Sequence, residues 1–288
     1  MVPLLGVARR YAKDIDAFLQ KLHESTVNAY EIGFVYGVPS EFPETTRKRA
    51  DELKIKLSGH IPFFLSWANE EKIAQSTEHL TKGMRFAARL ETLAVCHLGY
   101  YGSQSFETLK PTIVDRIFQV VRSVIEEFSF SSPVLGIETT GKKSEIGSLE
   151  EVLSVVHDLS TDVAIPVVDW AHLYARSDGK FPRSTDDFSS TLSKLENETG
   201  MKKFYFHGSG IEYRNGSEKR HLSVKTCQPP LPYLLEVLRE AQYEYTLIVE
   251  SPEATEDIAW LRNVLRDPRS YFDYVQAKQK SLEGWITS

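Results

Sequence analysis

Six short and mostly apolar stretches of this chain each end in a histidine or an acidic residue, the one before His60 least cleanly, and this recurrence constrains the fold more than any other feature. The clearest stretch is residues 165–168, which leads directly into Asp169. Short runs that are apolar throughout are typical of strands buried on both faces of a parallel sheet. The residues that close the six runs are His60, His97, Glu138, Asp169, His207 and Glu250.

The spacing of these six positions predicts repeated strand–helix units. Successive positions are 37, 41, 31, 38 and 43 residues apart, and one such unit takes about 30 residues or more. Eight units in roughly 250 residues make a (β/α)8 barrel, so we predict a single TIM-barrel domain over residues 1–288. The alternative is a doubly wound open sheet, but the turn at Gly6 lacks the glycine-rich phosphate-binding pattern of that fold.

Hydrophobic patterning places eight strands between helices. The predicted strands cover residues 3–8, 29–35, 55–60, 93–96, 134–137, 165–168, 203–206 and 247–249. Two polar stretches are predicted to be loops, one over residues 175–183 and one from His207 to Gln228.

The polar strand ends predict a metal centre. In a (β/α)8 barrel the carboxyl ends of all strands surround one mouth, where reactive sites lie. His172 and His221 fall on adjoining loops and extend the set to eight residues. Alone, each could be a hydrogen-bonded core histidine or a buried ion-pair partner. Together, imidazoles and carboxylates suit Zn²⁺, with Mn²⁺ or Fe²⁺ as alternatives, and eight ligands imply two or three ions with a bridging carboxylate.

Charge and cysteine content limit the partners and the compartment. The net charge is −6, so any contact with nucleic acid needs a local basic surface. Arg176 and Lys180 lie in one basic stretch and Lys219 and Arg220 in another, although such stretches are often only solvated loops. No apolar run approaches the roughly 20 residues of a membrane span. The two cysteines predict reduced thiols, and we expect a cytoplasmic monomer.

Six segments resemble, in order along the chain, the motifs of the endonuclease IV family, the second family of apurinic/apyrimidinic endonucleases. They are SGHIP at 58–62, VCHLG at 95–99, GIETTG at 136–141, VDWAH at 168–172, FHGS at 206–209 and VESP at 249–252. Each motif is short, but the ordered set is specific.

The resemblance implies a zinc-dependent hydrolase of DNA base excision repair that cleaves the phosphodiester 5′ to abasic sites. His60 and His97 would hold one zinc, and Glu138 would bridge it to a second, with a hydroxide between the ions as nucleophile. The second ion would be completed by Asp169, His207 and Glu250. The third zinc would be held by His172 and His221.

Two positions depart from the family pattern. Lys219 stands where the family has an aspartate that binds the third zinc, so that site keeps two neutral histidines unless a group such as Glu218 completes it. We therefore expect two tightly bound zinc ions. Phe63 stands where many members have a tyrosine near the DNA. The predicted DNA contacts are Arg176, Lys180, Lys219 and Arg220.

Two other functions are compatible with this pattern. One is a sugar isomerase or epimerase of the xylose isomerase-like barrels, whose sites usually contain fewer histidines. The other is a non-catalytic binder of damaged DNA with an impaired third metal site.

Overall fold

The computed structural model describes residues 3–34, 37–38, 44–62, 65–128 and 135–286. Eight parallel strands close into a barrel, which confirms the predicted (β/α)8 fold. The barrel strands are β1 (Leu4–Arg10), β2 (Ala29–Gly33), β3 (Lys56–His60), β4 (Ala94–Cys96), β5 (Leu135–Glu138), β6 (Ala164–Asp169), β7 (Lys203–Gly208) and β10 (Glu244–Val249). Around the barrel they follow the order β1, β10, β7, β6, β5, β4, β3, β2.

Ten α-helices lie in the described part of the chain, most of them packed around the barrel. They are α1 (Ile15–Glu24), α2 (Glu44–Glu52), α3 (Glu70–Leu90), α4 (Phe106–Phe128), α5 (Leu149–Leu159), α6 (Trp170–Arg176), α7 (Thr185–Thr199), α8 (Leu231–Ala241), α9 (Ala254–Arg266) and α10 (Phe272–Ile286). None of the described helices has the length and apolar character that a membrane span requires.

The hydrophobic core forms two layers. The larger layer lies between the strands and the helices, where helical repeats such as Ile113, Ile117 and Val121 of α4 are completely buried. The smaller layer fills the barrel, with buried side chains from five strands in mutual contact: Ala29, Val95, Val167, Tyr205 and Ile248. These apolar residues close the barrel interior, which leaves its mouth for polar groups.

One of the two predicted loops begins as a helix. Helix α6 starts directly after Asp169, and its last residue is Arg176. The Asp169 carboxylate caps the helix by accepting a hydrogen bond from the backbone N–H of His172 at 2.7 Å. A helix of seven residues is too short to show a clear hydrophobic period, which explains why residues 175–183 were all predicted to be loop.

The other predicted loop, from His207 to Gln228, contains a β-hairpin of β8 (Gly210–Arg214) and β9 (Ser217–Leu222). Its turn is Asn215-Gly216, and both residues have positive φ angles. An Asn-Gly turn of this kind is the strongest short hairpin signal in a sequence, so the hairpin could have been predicted. Pairing shifts between Glu212 and Tyr213 and leaves Lys219 without a cross-strand partner, which is a β-bulge.

Candidate metal centre

All eight predicted ligands lie at the carboxyl-terminal mouth of the barrel. His60, Glu138 and Asp169 are the last residues of their strands, and His207 is the last but one of β7. Asp169 and His207 are direct partners across β6 and β7. His97 and Glu250 follow β4 and β10, His172 lies in the first turn of α6, and His221 lies on β9.

Glu138 is the residue on which the site converges. One of its carboxylate oxygens, Oε2, lies 2.9 Å from His60 Nε2 and 3.2 Å from His97 Nε2. The other, Oε1, lies 3.1 Å from His207 Nδ1 and 3.2 Å from His172 Nδ1. The carboxylate is completely buried. Burial would raise the pKa of Glu138, but His207 and His97 outweigh it and hold that pKa well below its usual range.

The residues form three adjoining clusters that share carboxylates. Within each cluster, one ligand atom per residue lies within 4.8 Å of the others. The clusters are His60–His97–Glu138, Glu138–Asp169–His207–Glu250 and His172–His221–Glu250. Glu138 therefore belongs to the first two clusters and Glu250 to the last two. We call the four-residue group the central cluster and the third group the outer cluster.

The central cluster contains polar atoms that the protein itself does not satisfy. Glu138 Oε1, Asp169 Oδ2 and His207 Nδ1 are buried and make no hydrogen bond of good geometry within the described part of the chain, although Glu138 Oε1 lies 3.1 Å from His207 Nδ1. An unsatisfied buried polar group costs about 1–3 kcal/mol, and more when it is charged. A cation bound by these atoms would remove that cost, so the residues present fit a Zn²⁺, Mn²⁺ or Fe²⁺ ion.

The raised pKa values of the histidines also favour a bound cation at this place. Burial opposes protonation, but Glu138 outweighs it and raises the pKa of His60 to about 9. The pKa values of His172 and His207 are also raised well above the usual range, against burial, by nearby carboxylates that include Asp169 and Glu31. These carboxylates hold positive charge at the mouth, and a metal cation would take the place of the protons.

Hydrogen bonds fix the orientation of the histidine rings. His60 Nδ1 lies 2.9 Å from the carbonyl oxygen of Ile61, and His172 Nδ1 lies 2.8 Å from that of Thr139. His221 Nδ1 lies 2.6 Å from Ser209 Oγ. Such partners set the tautomer of a metal-binding histidine, and here Nε2 of each ring faces a carboxylate of the mouth: Glu138 for His60, Glu218 for His172 and Glu250 for His221.

The outer cluster gains the carboxylate of Glu218, which lies one residue before the position at which the family pattern has an aspartate. Glu218 Oε2 lies 2.9 Å from His172 Nε2, whereas Lys219 is exposed. The bulge at Lys219 breaks the alternation of side chains along β9, so Glu218 instead of residue 219 turns towards His172. Of the alternatives that the sequence left open for this site, completion by Glu218 is the one that the geometry favours.

Gly141 makes room for this arrangement. Its carbonyl oxygen accepts a hydrogen bond from the Glu218 backbone N–H at 2.9 Å. A Cβ at position 141 would overlap Glu218 Oε2 and lie only 2.9 Å from His172 Cδ2. Glu218 also lies 3.7 Å from the ammonium group of Lys142, so its carboxylate is held between a cation and an imidazole.

Glu31 is a site residue that the sequence reasoning missed. It lies in β2 with no exposed surface, accepts a hydrogen bond from the Tyr205 hydroxyl at 2.8 Å, and lies 3.1 Å from His207 Nε2. Glu31 also occupies a group with His60 and His207 in which ligand atoms are within 4.8 Å of one another. The signal in the sequence was a single charged residue inside an otherwise uncharged strand.

Arg176 was predicted to contact DNA, but its side chain is mostly buried. Its guanidinium donates hydrogen bonds to the carbonyl oxygens of Lys142 at 2.6 Å and Glu145 at 3.0 Å, and it pairs with Glu151 at 3.5 Å. The side chain is only 15% exposed. Arg176 thus braces the segment that follows β5, and its guanidinium is not free at the surface for DNA.

The other predicted DNA contacts are exposed beside the mouth. Lys180, Lys219 and Arg220 are exposed, although Arg220 pairs with Glu212 at 2.7 Å. Asp178 accepts a hydrogen bond from the Gly216 N–H at 2.9 Å, which ties the loop carrying Lys180 to the hairpin. Contact with DNA stays a prediction for these three residues, and Phe63 lies outside the described residues.

The mouth is an open cavity of about 360 Å³ with basic residues in its wall. Arg9, Arg10 and Lys142 line it together with the metal-binding candidates His60, His97, His172, His221 and Glu250. Arg9 donates hydrogen bonds to the carbonyl oxygens of Ser251 and Pro252 at 3.2 and 2.9 Å, so it also joins the ends of β1 and β10.

Comparison with known proteins agrees with this architecture. A family model for xylose isomerase-like TIM barrels matches residues 19–266. An uncharacterised protein of Methanocaldococcus jannaschii is 30% identical over 246 residues, which cover 84% of this chain and 88% of that protein.

Solved structures share the barrel at low sequence identity. Endonuclease IV from Thermus thermophilus superimposes with a TM-score of 0.67 and 18% identity, covering 93% of this chain and 99% of that one. A D-tagatose 3-epimerase-like protein superimposes with a TM-score of 0.68 and 18% identity, covering 92% and 98%. At these identities the likeness shows the fold alone, and the two proteins differ in activity.

Proposed function

The chain belongs to the xylose isomerase-like TIM barrel family, and on that premise we propose that it is a metal-dependent endonuclease. Its substrate is DNA that contains abasic sites, and the bond hydrolysed is the phosphodiester on the 5′ side of the lesion. The metal is zinc, and the protein acts in DNA base excision repair.

The observation that carries this proposal is the sharing of Glu138 and Glu250 among three clusters of ligands. A single ion would be held by one of these groups, and the histidines of the other two groups would then have no ligand role. Carboxylates shared between groups suit ions that lie close together. Neighbouring ions of this kind serve displacements at phosphorus, where charge develops on both the attacking and the leaving oxygen.

The position of each residue determines which part of the metal centre it would form. When bound, the ions would supply an activated water and neutralise charge on the phosphate oxygens. Glu138 would join the group of His60 and His97 to the central cluster, and Asp169 and His207 would complete the central coordination. Glu218 and His172 would place the outer cluster on the side nearest the hairpin, where a third cation adds to the charge that faces the phosphate.

The exposed basic residues give the DNA a surface beside the cavity. Lys219 and Arg220 are exposed on the hairpin and Lys180 is exposed in the loop that Asp178 joins to it, and Lys142 lies in the cavity wall. Ammonium and guanidinium groups bind phosphates through charge-assisted hydrogen bonds. A chain with a net charge of −6 would thus bind DNA at one local surface while the rest of the molecule repels it.

The experiment is a nicking assay combined with a metal count. Purified protein is analysed for zinc, manganese and iron, and is incubated with duplex DNA that carries one abasic site or none. We expect at least two ions per chain and a nick only in the abasic duplex, with a 3′-hydroxyl that a polymerase extends. A chelator removes the activity, and zinc restores it. Metal-loaded protein that binds the abasic duplex without nicking it would instead be a non-catalytic binder.

One observation favours a second candidate, a sugar epimerase. The central cluster alone supplies three carboxylates and one histidine, a complete set of ligands for one hard ion such as Mn²⁺. Conversion of D-fructose or D-tagatose by the manganese-loaded protein tests this function. Turnover of either sugar without nicking of abasic DNA would replace the endonuclease proposal.

A further inference from the structure

We propose that Glu31 is a positioning residue that holds His207 in the orientation needed to bind a metal ion in the central cluster. The inference rests on the proposed metal centre but not on the substrate. Glu31 comes from β2, a strand that contributes none of the eight predicted ligands, so it adds a further part of the barrel to the site.

The contacts of His207 place Glu31 on one side of the ring and the central cluster on the other. His207 Nε2 lies 3.1 Å from Glu31 Oε2. His207 Nδ1 lies 3.1 Å from Glu138 Oε1 and 3.7 Å from Glu250 Oε1. A ring that donates its Nε2–H to Glu31 keeps the lone pair of Nδ1 directed at the central cluster. Metal-binding histidines generally use a carboxylate, a carbonyl oxygen or a water in this way.

Glu31 is itself held in place. The Tyr205 hydroxyl donates to Glu31 Oε2 at 2.8 Å, and Ser58 Oγ lies 2.6 Å from the same hydroxyl. The four side chains of this hydrogen-bonded series, Ser58, Tyr205, Glu31 and His207, are all buried. Their side chains cannot reorient freely, so the position of His207 is fixed from the interior of the barrel.

A separate ion held by Glu31, His60 and His207 agrees less well with the geometry. His60 Nδ1 is occupied by the carbonyl oxygen of Ile61 at 2.9 Å, and His60 Nε2 lies 2.9 Å from Glu138. An ion at this place would have to take His60 Nε2 from the group it forms with His97 and Glu138. The same ion would occupy His207 Nε2 and remove its contact with Glu31.

A purely structural role would not require a charge at this position. Glu31 Oε1 is buried and has no hydrogen-bond partner within the described residues, and a buried carboxylate with only one of its oxygens hydrogen-bonded is costly. A neutral side chain could fill the same space. The negative charge is useful if it makes the His207 imidazole a stronger metal ligand, as carboxylate partners do.

The test measures zinc affinity separately from activity. Metal-free wild type, Glu31→Gln and Glu31→Ala compete with a chelator for zinc, and Ser76→Ala is the control, because it removes a buried hydrogen-bonding group on α3 that belongs to none of the clusters. We expect Glu31→Ala to weaken zinc binding about 10–100-fold. Glu31→Gln keeps an acceptor for the ring but loses the charge, so its loss of zinc affinity should be smaller, and Ser76→Ala should bind zinc like wild type.

A spectroscopic measurement separates positioning from a loss of folding. In the cobalt-substituted protein, Glu31→Ala should change the visible absorption of the metal, while Ser76→Ala should not. If Glu31→Ala does not fold, Glu31→Gln carries the test, with weaker zinc binding and an altered cobalt spectrum expected. Unchanged affinity and spectrum in the glutamate variants would overturn the inference, as would the loss of a whole ion from Glu31→Gln, which would make Glu31 a ligand.

The outcomes also separate this inference from the proposed function. Wild-type protein that binds no zinc would overturn both. Zinc binding that depends on Glu31 in a protein that never nicks abasic DNA would overturn the endonuclease proposal alone.

Discussion

The central and outer clusters are built on different kinds of backbone, and the difference explains which of them can vary. The central cluster stands on barrel strands, where Asp169 and His207 are paired residues of neighbouring strands. The outer cluster combines the first turn of α6 with a hairpin outside the barrel ladder. Glu138 and His207 have no exposed surface, whereas the His221 and Glu218 side chains are 25% and 22% exposed.

A strand in a closed barrel cannot shift by one residue without displacing its neighbours and turning its side chains to the opposite face. A hairpin outside the barrel can absorb an extra residue as a bulge. The bulge at Lys219 therefore changes which side chain reaches His172, and the rest of the site stays in place. We expect changes in the central cluster to abolish function and changes in the outer cluster to reduce it.

The largest effect is expected from Glu138→Gln. A neutral amide cannot balance two cations, so we expect the loss of at least one ion and a fall in nicking beyond the ~100-fold that one lost electrostatic contact costs. Metal content by elemental analysis and the nicking rate are measured together. Glu145→Gln, another buried carboxylate of the mouth that lies outside the three clusters, is the control. Full metal content and activity in Glu138→Gln would contradict the bridging role.

A smaller effect is expected from Glu218→Ala. Removal of this carboxylate should release the outer ion and leave the central ions bound, with nicking about 10–100-fold slower, the usual range for loss of an auxiliary metal-site group. Lys219→Asp is the matched variant at the neighbouring position. Because Lys219 is exposed on the bulge, Lys219→Asp should leave the number of ions unchanged. An additional ion in Lys219→Asp would show that the strand adopts the unbulged register.

Gly141→Ala should weaken the outer cluster indirectly, by disturbing the contact between Glu218 and His172. The new methyl group would overlap Glu218 Oε2, so the carboxylate must move away from His172. We expect weaker binding of the outer ion and a loss of nicking smaller than in Glu218→Ala. Gly33→Ala is the control at the mouth, because its Cβ would approach no atom closer than 3.8 Å. Equal outer-ion affinity in Gly141→Ala and wild type would mean that Glu218 does not contribute.

The smallest effect is expected from the basic residues beside the mouth. Each phosphate contact contributes about 0.9 to the slope of log affinity against log salt, so Lys180→Ala and Lys219→Ala should each lower that slope by about one contact. Arg220→Ala should change it less, because Glu212 already pairs with this guanidinium. Binding of abasic duplex is measured over a range of salt, with Lys82→Ala on α3 as the control. Unchanged slopes in both lysine variants would place the DNA elsewhere.

The barrel and the ligand positions could be predicted because both follow from local pattern. His60, Glu138 and Asp169 end apolar runs, and parallel strands bring such ends together without any further information. Glu31 escaped prediction because it lies in the middle of β2, where the sequence alone does not show that a side chain points into the barrel. The bulge at Lys219 escaped as well, because a one-residue shift depends on cross-strand pairing and not on residue type.

In the proposed metal centre, the sharing of Glu138 and Glu250 between clusters would also govern how the ions are acquired. Two ions that use one carboxylate cannot bind independently, and the free energy by which the first alters the second is the free energy by which the second alters the first. In the proposed centre, the buried central ions would then bind more tightly, and the outer ion, held by more exposed side chains, would exchange fastest. At limiting zinc the population would be mixed, and the cellular supply of zinc would set the fraction of fully active molecules.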